Sequence, residues 1–121
     1  MIKLTFCLIR RPEFTRERFQ AYWFDHHAPL VESVKAILRI RRYVQMHSLP
    51  VAASDALRRA RGGPEGFDGV AELWWDSLTD MEASAIDPRA VEAGRILLAD
   101  ERKFIDLARS PLWWGEERVI I

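Results

Sequence analysis

Two stretches of this 121-residue chain change character at every second residue, a period that belongs to extended strands with two distinct faces, and two more read as strands. Ile2, Leu4, Phe6 and Leu8 alternate with Lys3, Thr5, Cys7 and Ile9. Between Arg39 and Ser48, Ile40, Val44 and Met46 fall on one side, and Arg41, Tyr43, Gln45 and His47 on the other. Between Phe67 and Asp76, Val70, Glu72 and Trp74 oppose Ala71, Leu73 and Trp75. Leu112 to Ile121 reads as a fourth strand, with a bulge expected at Gly115. In the first two strands the second face is neither fully apolar nor fully charged, which a plain solvent face would not need.

Helical signals fill the intervals. The clearest lies in FTRERFQAYWFDHHAPL, from Phe14 to Leu30. Thr15 is placed to cap a helix, and Glu17 sits where the positive end of the helix dipole favours a carboxylate. Phe14 and Phe19 have the spacing of a hydrophobic staple. At about 100° per residue, Phe19, Tyr22, Trp23, His26 and Leu30 share an apolar stripe, with His27 on its flank beside Trp23. Pro29 removes the N–H that would bond the carbonyl of Asp25, so the helix is expected to kink or end near His27 and to resume through Val31, Val34 and Ile37.

Leu49 to Gly66, with two prolines and three glycines around SDALRRAR, reads as a long excursion that holds a short helix and is ordered by packing of Leu57. Ser77 or Thr79 caps the next helical region, which Asp87 and Pro88 interrupt. A run through Val91, Ile96 and Leu97 follows. Asp100 then reads as the cap of a last short helix containing Phe104, Ile105 and Leu107.

The order strand, helix, strand, long loop, strand, helices, strand predicts an α+β, ferredoxin-like split βαβ fold: a four-stranded antiparallel sheet with helices on one face. One domain over residues 1–121 fits this length. The uncovered sheet face is expected to carry Tyr43, Trp74 and Trp113, so much aromatic surface that a second copy of the chain is its natural cover. Lys+Arg and Asp+Glu both number 18, which leaves no long-range field to draw nucleic acid or an anionic membrane. The N-terminus lacks an apolar signal core, no segment approaches transmembrane length, and Cys7 is the sole cysteine, so a soluble cytoplasmic protein is expected.

The segments YWFDHHAPL, RRYVQMH, FDGVAELWWDS and DLARSPLWW occur in that order, and through them the chain resembles the EthD-domain family over nearly its whole length. The resemblance implies a dimeric α+β barrel, in which the sheets of two copies form the barrel and a ligand cavity lies between sheet and helices or inside it. It implies that His27, with Trp23 and Pro29, stands at the family's tryptophan, histidine and proline pattern. Relatives on the fold include polyketide cyclases, muconolactone isomerases, small quinone-forming monooxygenases and decarboxylases or dehydratases of aromatic polyketides. With so many activities on one fold, membership fixes fold better than function.

Among candidate catalytic residues His27 stands first, because imidazole titrates near neutral pH and needs only a partner to fix its tautomer. The competing reading is a structural histidine bonded to a carbonyl freed by Pro29. His26, mid-stripe, reads as a packed core or interface residue. Tyr43, Gln45 and His47 share a strand face that, in the inferred barrel, looks into a ligand site; an inter-subunit hydrogen-bond network is the alternative. Glu72, between Val70 and Trp74, is either a carboxylate base of raised pKa or the partner of Arg41 or Arg42. Trp23, Gln45, Trp74 and Trp113 are candidate ligand contacts, although paired tryptophans more often build core and interface.

No metal-ligand spacing, dinucleotide fingerprint, phosphate loop or nucleophile elbow occurs, so no metal or cofactor is expected. These residues suggest a cofactor-independent enzyme that moves protons on a hydrophobic, oxygenated or aromatic catabolite, with an oxidoreductase label possible from the family. The rival is a small-ligand-binding or accessory protein of a catabolic redox system. A third reading makes the polar strand face a register between subunits, with no cavity.

Overall fold

The computed structural model describes residues 1–121 and contains four strands in the order β1 (Ile2–Leu8), β2 (Arg42–His47), β3 (Gly69–Trp75) and β4 (Leu112–Glu116). They form one antiparallel sheet with the spatial order β2-β3-β1-β4. This is the split βαβ arrangement expected from the alternation. Pairing of β1 with β4 runs without interruption through Lys3 and Gly115, so the bulge expected at Gly115 is absent.

Residues paired directly across strands share a face, and the register therefore separates the two sides of the sheet. Tyr43, Leu73, Leu4 and Trp114 form one row; Gln45, Ala71, Phe6 and Leu112 form the next. These rows meet the helices. On the opposite side lie Val44, Glu72, Thr5 and Trp113, then Arg42, Trp74 and Lys3. Tyr43 is thus on the helix side, not on the uncovered face with Trp74 and Trp113 as the sequence suggested. The physical reason is that β2 carries apolar residues on both faces, so alternation separates its two sides without saying which is covered.

The first helical passage has three parts: α1 (Arg16–Tyr22), a wide π turn (Trp23–His27) and α2 (Ala28–Val34). Thr15 caps α1 by accepting from the N–H of Arg18 at 3.2 Å. The chain leaves α2 through a turn in which Arg39 takes φ 59° and the N–H of Ile40 reaches the carbonyl of Lys35 at 2.9 Å. α3 (Ala52–Arg61) is the short helix of the long excursion, but it contains no buried residue. Leu57 is 60% exposed, so it does not anchor that segment.

After β3 come α4 (Leu78–Ile86) and α5 (Pro88–Phe104). Ser77 caps α4; Asp87 ends it and caps α5, with Pro88 in the first turn. α5 runs unbroken, so Asp100 is not the cap of a separate short helix. It lies within the helix, on the buried side with Ala90, Ala93 and Phe104.

Phe19, Trp23, Phe104 and Leu8 are the largest fully buried side chains, joined in the core by Phe6, Ala71 and Ile105. Burying a side chain such as Phe19 or Phe104 contributes roughly 1.5–3 kcal/mol. Trp23 packs so closely on β3 that a Cβ on Gly69 would overlap its indole and lie 2.9 Å from the carbonyl oxygen of Met46. Glycine at that position is what lets the helical layer approach the sheet.

Candidate functional site

The wide turn decides which histidine is buried. The N–H of Ala28 bonds the carbonyl of Trp23, five residues back, and Pro29 has no N–H to restore ordinary helical bonding. Each residue of such a turn advances by less than in an α-helix, so the apolar stripe moves on by one position. His27 consequently faces inward at 6% exposure, while His26 is exposed and stacks on the Tyr22 ring with centroids 5.0 Å apart. The expectation of a packed His26 is corrected by this one-residue shift.

His27 meets Asp100 from the buried side of α5, Nδ1 lying 2.8 Å from Oδ2. The Tyr22 hydroxyl donates to the other carboxylate oxygen at 2.6 Å, and Lys103 Nζ stands 3.7 Å from it. Burial works to raise the Asp100 pKa, but the hydrogen bonds from Tyr22 and His27 and the nearby positive charge outweigh it and hold the carboxyl below its ordinary range. Burial lowers the His27 pKa, against the pull of Asp100, and favours a neutral ring. A carboxylate only accepts, so Nδ1 carries the proton and Nε2 keeps a lone pair with no partner in the chain. This is the orientation a general base requires. Burial foremost, and then the hydrogen bond to Asp100 and its charge, raises the Tyr22 pKa to about 12.

His27 forms part of the wall of a cavity of about 190 Å³ between the sheet and the helical layer. The wall is apolar except for His27 and Glu101, with Trp23, Tyr43, Leu73 and Trp75 among its other members. Glu101 follows Asp100 on α5, and a step of about 100° turns one carboxyl to His27 and the other to the cavity. Burial foremost, and then the charge of Asp100, raises the Glu101 pKa to about 7, with Arg102 opposing.

Tyr43 reaches the cavity from β2, and behind it runs a chain of hydrogen bonds. His47 Nε2 lies 2.8 Å from Gln45 Oε1; Gln45 Nε2 donates to the Tyr43 hydroxyl at 2.7 Å and to the Trp23 carbonyl at 3.0 Å. Burial pushes the Tyr43 pKa up to about 12, with the side chains of Gln45 and Trp23 opposing. The His47 ring lies tilted against Trp23 with centroids 4.7 Å apart and is half-buried, with a pKa lowered by burial.

The sequence candidates therefore divide. His27, Trp23, Tyr43, Gln45 and His47 lie on the helix side, although Gln45 and His47 stand behind the cavity rather than in its wall. Glu72, Trp74 and Trp113 lie on the far side of the sheet, away from His27. There Glu72 pairs with Lys3 at 2.5 Å, while Arg41 pairs with Asp76 and Arg42 lies over the Trp74 ring. Trp74 also donates to Glu117.

Sequence reasoning missed Asp100, Glu101 and Tyr22. A signal existed: Ala90, Ala93, Leu97 and Phe104 trace one helical stripe, and a carboxylate pair interrupts it. No group of three or more His, Cys, Asp or Glu residues is arranged to hold a metal ion, and no helix is long and apolar enough to cross a membrane.

A four-stranded antiparallel sheet with helices on one face, enclosing a small apolar cavity with an Asp-bonded histidine in its wall, defines a small α+β protein. The EthD domain matches residues 11–108, and the chain belongs to the EthD family. The fold is similar to that of an EthD family protein from Bacillus halodurans, with TM-score 0.62, 20% identity, and coverage of 98% of this chain and 100% of that one. It is also similar to a dimeric ferredoxin-like protein from Bacteroides fragilis, with TM-score 0.58, 15% identity and coverage of 96% and 95%. A third similar structure is SnoaB, a cofactor-independent oxygenase from Streptomyces nogalater, with TM-score 0.55, 10% identity and coverage of 99% and 95%. No curated protein matches the sequence.

Proposed function

We propose that this EthD-family chain is a cofactor-independent enzyme that moves protons on a small hydrophobic molecule bearing oxygen, with His27 as the general base. The observation that carries the reading is the His27–Asp100 pair in the wall of an otherwise apolar cavity. Asp100 fixes the Nδ1–H tautomer and stabilises the imidazolium that forms when Nε2 takes a proton; the apolar wall excludes water. A pair that served packing alone would not need an unpartnered Nε2 beside a cavity. The cofactor-independent oxygenase activity of SnoaB is compatible with such a base, since removal of a proton can begin a cofactorless oxygenation.

The working form is a homodimer of single-domain chains, supported by the uncovered sheet face, where Trp113 is half exposed, and by the dimeric relative from Bacteroides fragilis. A reducing, cytoplasmic setting suits Cys7, which is buried and without a disulfide partner.

The reading is tested by incubating the protein in D2O with a panel of small hydrophobic ketones and phenols and following each compound by NMR. Catalysed deuterium uptake is expected for at least one of them and should be lost in His27→Asn. Saturable binding with no exchange in any bound compound would make the chain a binding protein instead.

A further inference from the structure

Two groups in the cavity wall remain outside the base chemistry, Tyr43 and Glu101, and both face the cavity without an acceptor in the chain. The direction of the Tyr43 proton follows from what lies behind it. The Trp23 carbonyl can only accept, so the side of the Gln45 amide that faces it must be the NH2. The same NH2 group donates its other hydrogen to the Tyr43 oxygen. Gln45 Oε1 then faces His47, whose Nε2 must carry hydrogen to bond it. Apart from the hydrogen that Gln45 gives to the Trp23 carbonyl, the donors of this relay point toward Tyr43. Its oxygen is already an acceptor, and its own hydrogen is left to whatever occupies the cavity.

Glu101 supplies the second group. Its carboxyl stands in an apolar wall with no hydrogen-bond partner, and Asp100, the adjacent charge on α5, is negative. An ionised carboxylate there would be desolvated and repelled, whereas the neutral acid is a hydrogen-bond donor. Glu101 and Tyr43 are close enough that the charge of one adds to the upward pKa shift of the other. A tyrosine and a neutral carboxylic acid in an apolar pocket are a known way to stabilise an enolate oxygen, as in the handling of steroid ketones by an isomerase with that donor pair.

We propose that Tyr43 and Glu101 form a two-donor oxygen site, so that the molecule acted on by His27 is an uncharged, enolisable carbonyl compound. This inference rests on His27 as base. The Cα–H bond of the substrate breaks and its proton goes to Nε2. The electron pair left on carbon becomes a C=C bond, and the carbonyl π pair moves to oxygen, where the two donors stabilise it. Return of the proton to the same or a conjugated carbon completes exchange or isomerisation, with no oxidant or cofactor required. A carboxylate ligand would be refused, because the cavity wall offers no cation; a hydrophobic amine would be accepted only if Glu101 were ionised.

The probes are p-nitrophenol, whose absorbance reports whether it is bound as the enolate-like phenolate, with benzoate and benzylamine as an acid and an amine of similar size. Wild-type protein should bind neutral p-nitrophenol saturably and shift it toward phenolate as its proton passes to His27, and benzoate, which brings a charge and no proton, and benzylamine should bind more weakly. Tyr43→Phe and Glu101→Leu, which each remove a donor, should each weaken p-nitrophenol binding about 10-fold, the effect of losing one hydrogen bond to a charged oxygen. Infrared difference spectra of the unmodified protein provide a readout that needs no variant: the C=O stretch of a protonated carboxyl should shift when p-nitrophenol binds. Benzylamine binding tighter than p-nitrophenol, or both folded variants binding p-nitrophenol like wild type, would overturn the oxygen site. Deuterium uptake that depends on His27 but not on Tyr43 or Glu101 would do the same while leaving the base in place. Weakened p-nitrophenol binding in both variants, with no deuterium uptake into any carbonyl compound, would support the oxygen site and remove the base.

Discussion

Asp100 and Glu101 are neighbours with opposite environments, and the difference should be visible in how stability depends on pH. Asp100 is held below the ordinary carboxylate range, so its contribution is present above that range and is lost as pH falls through its folded value. Glu101 behaves in the reverse sense. Its folded pKa of about 7 lies above the unfolded value, so its contribution is full in acid and disappears as pH rises through about 7. The groups facing it are Asp100 and Arg102 on its own helix, His27 on the wide turn and Tyr43 on β2. Glu101→Gln should therefore gain on wild type between pH 5 and pH 8, read as urea midpoints at a series of pH values. Parallel curves for the two proteins would show that Glu101 is an ordinary solvated carboxylate.

At the scale of elements, the wide turn and α5 together make the site. Pro29 announces a break in helical bonding, yet a wheel drawn at about 100° per residue selects His26, because such a wheel has no place for an extra residue in a turn. The same limit hides Asp100: Ser and Asp are good caps, and a polar residue among apolar ones reads more simply as a helix start than as a buried partner for a residue 73 positions away. Thr15, Ser77 and the Asp87–Pro88 pair, whose signals are local, are legible where they stand. α3 is the opposite case. Its helical propensity and its Gly62 terminus, at φ 63°, are local, but nothing on it is buried. Its amides should exchange with solvent much faster than those of β2, which pairs along its length with β3. Comparable protection of Ala52–Arg61 and Arg42–His47 would mean that α3 is covered in solution.

For the whole molecule, alternation and the order of elements were enough to predict the sheet, its helices and their sides, because burial of one face imposes period two wherever it occurs. Assigning Tyr43 to a face required the pairing register, which is a long-range property. The uncovered side carries Met46 at 54% exposure on β2 and Trp113 at 51% on β4, at opposite edges of the sheet. Light scattering at micromolar concentration should give twice the chain mass of 14.1 kDa. A clean monomer would leave that face in water and remove the barrel.

The most direct measurement compares His27→Asn with wild type on one preparation, reading melting temperature and deuterium uptake into the best carbonyl compound of the panel. The amide of Asn can still donate to Asp100, but it cannot take a proton near neutral pH. A catalytic His27 predicts a melting temperature close to wild type and a rate lower by about 10²- to 10⁴-fold. A variant that melts several degrees lower yet exchanges deuterium at the wild-type rate would contradict the assignment and make His27 a structural partner of Asp100.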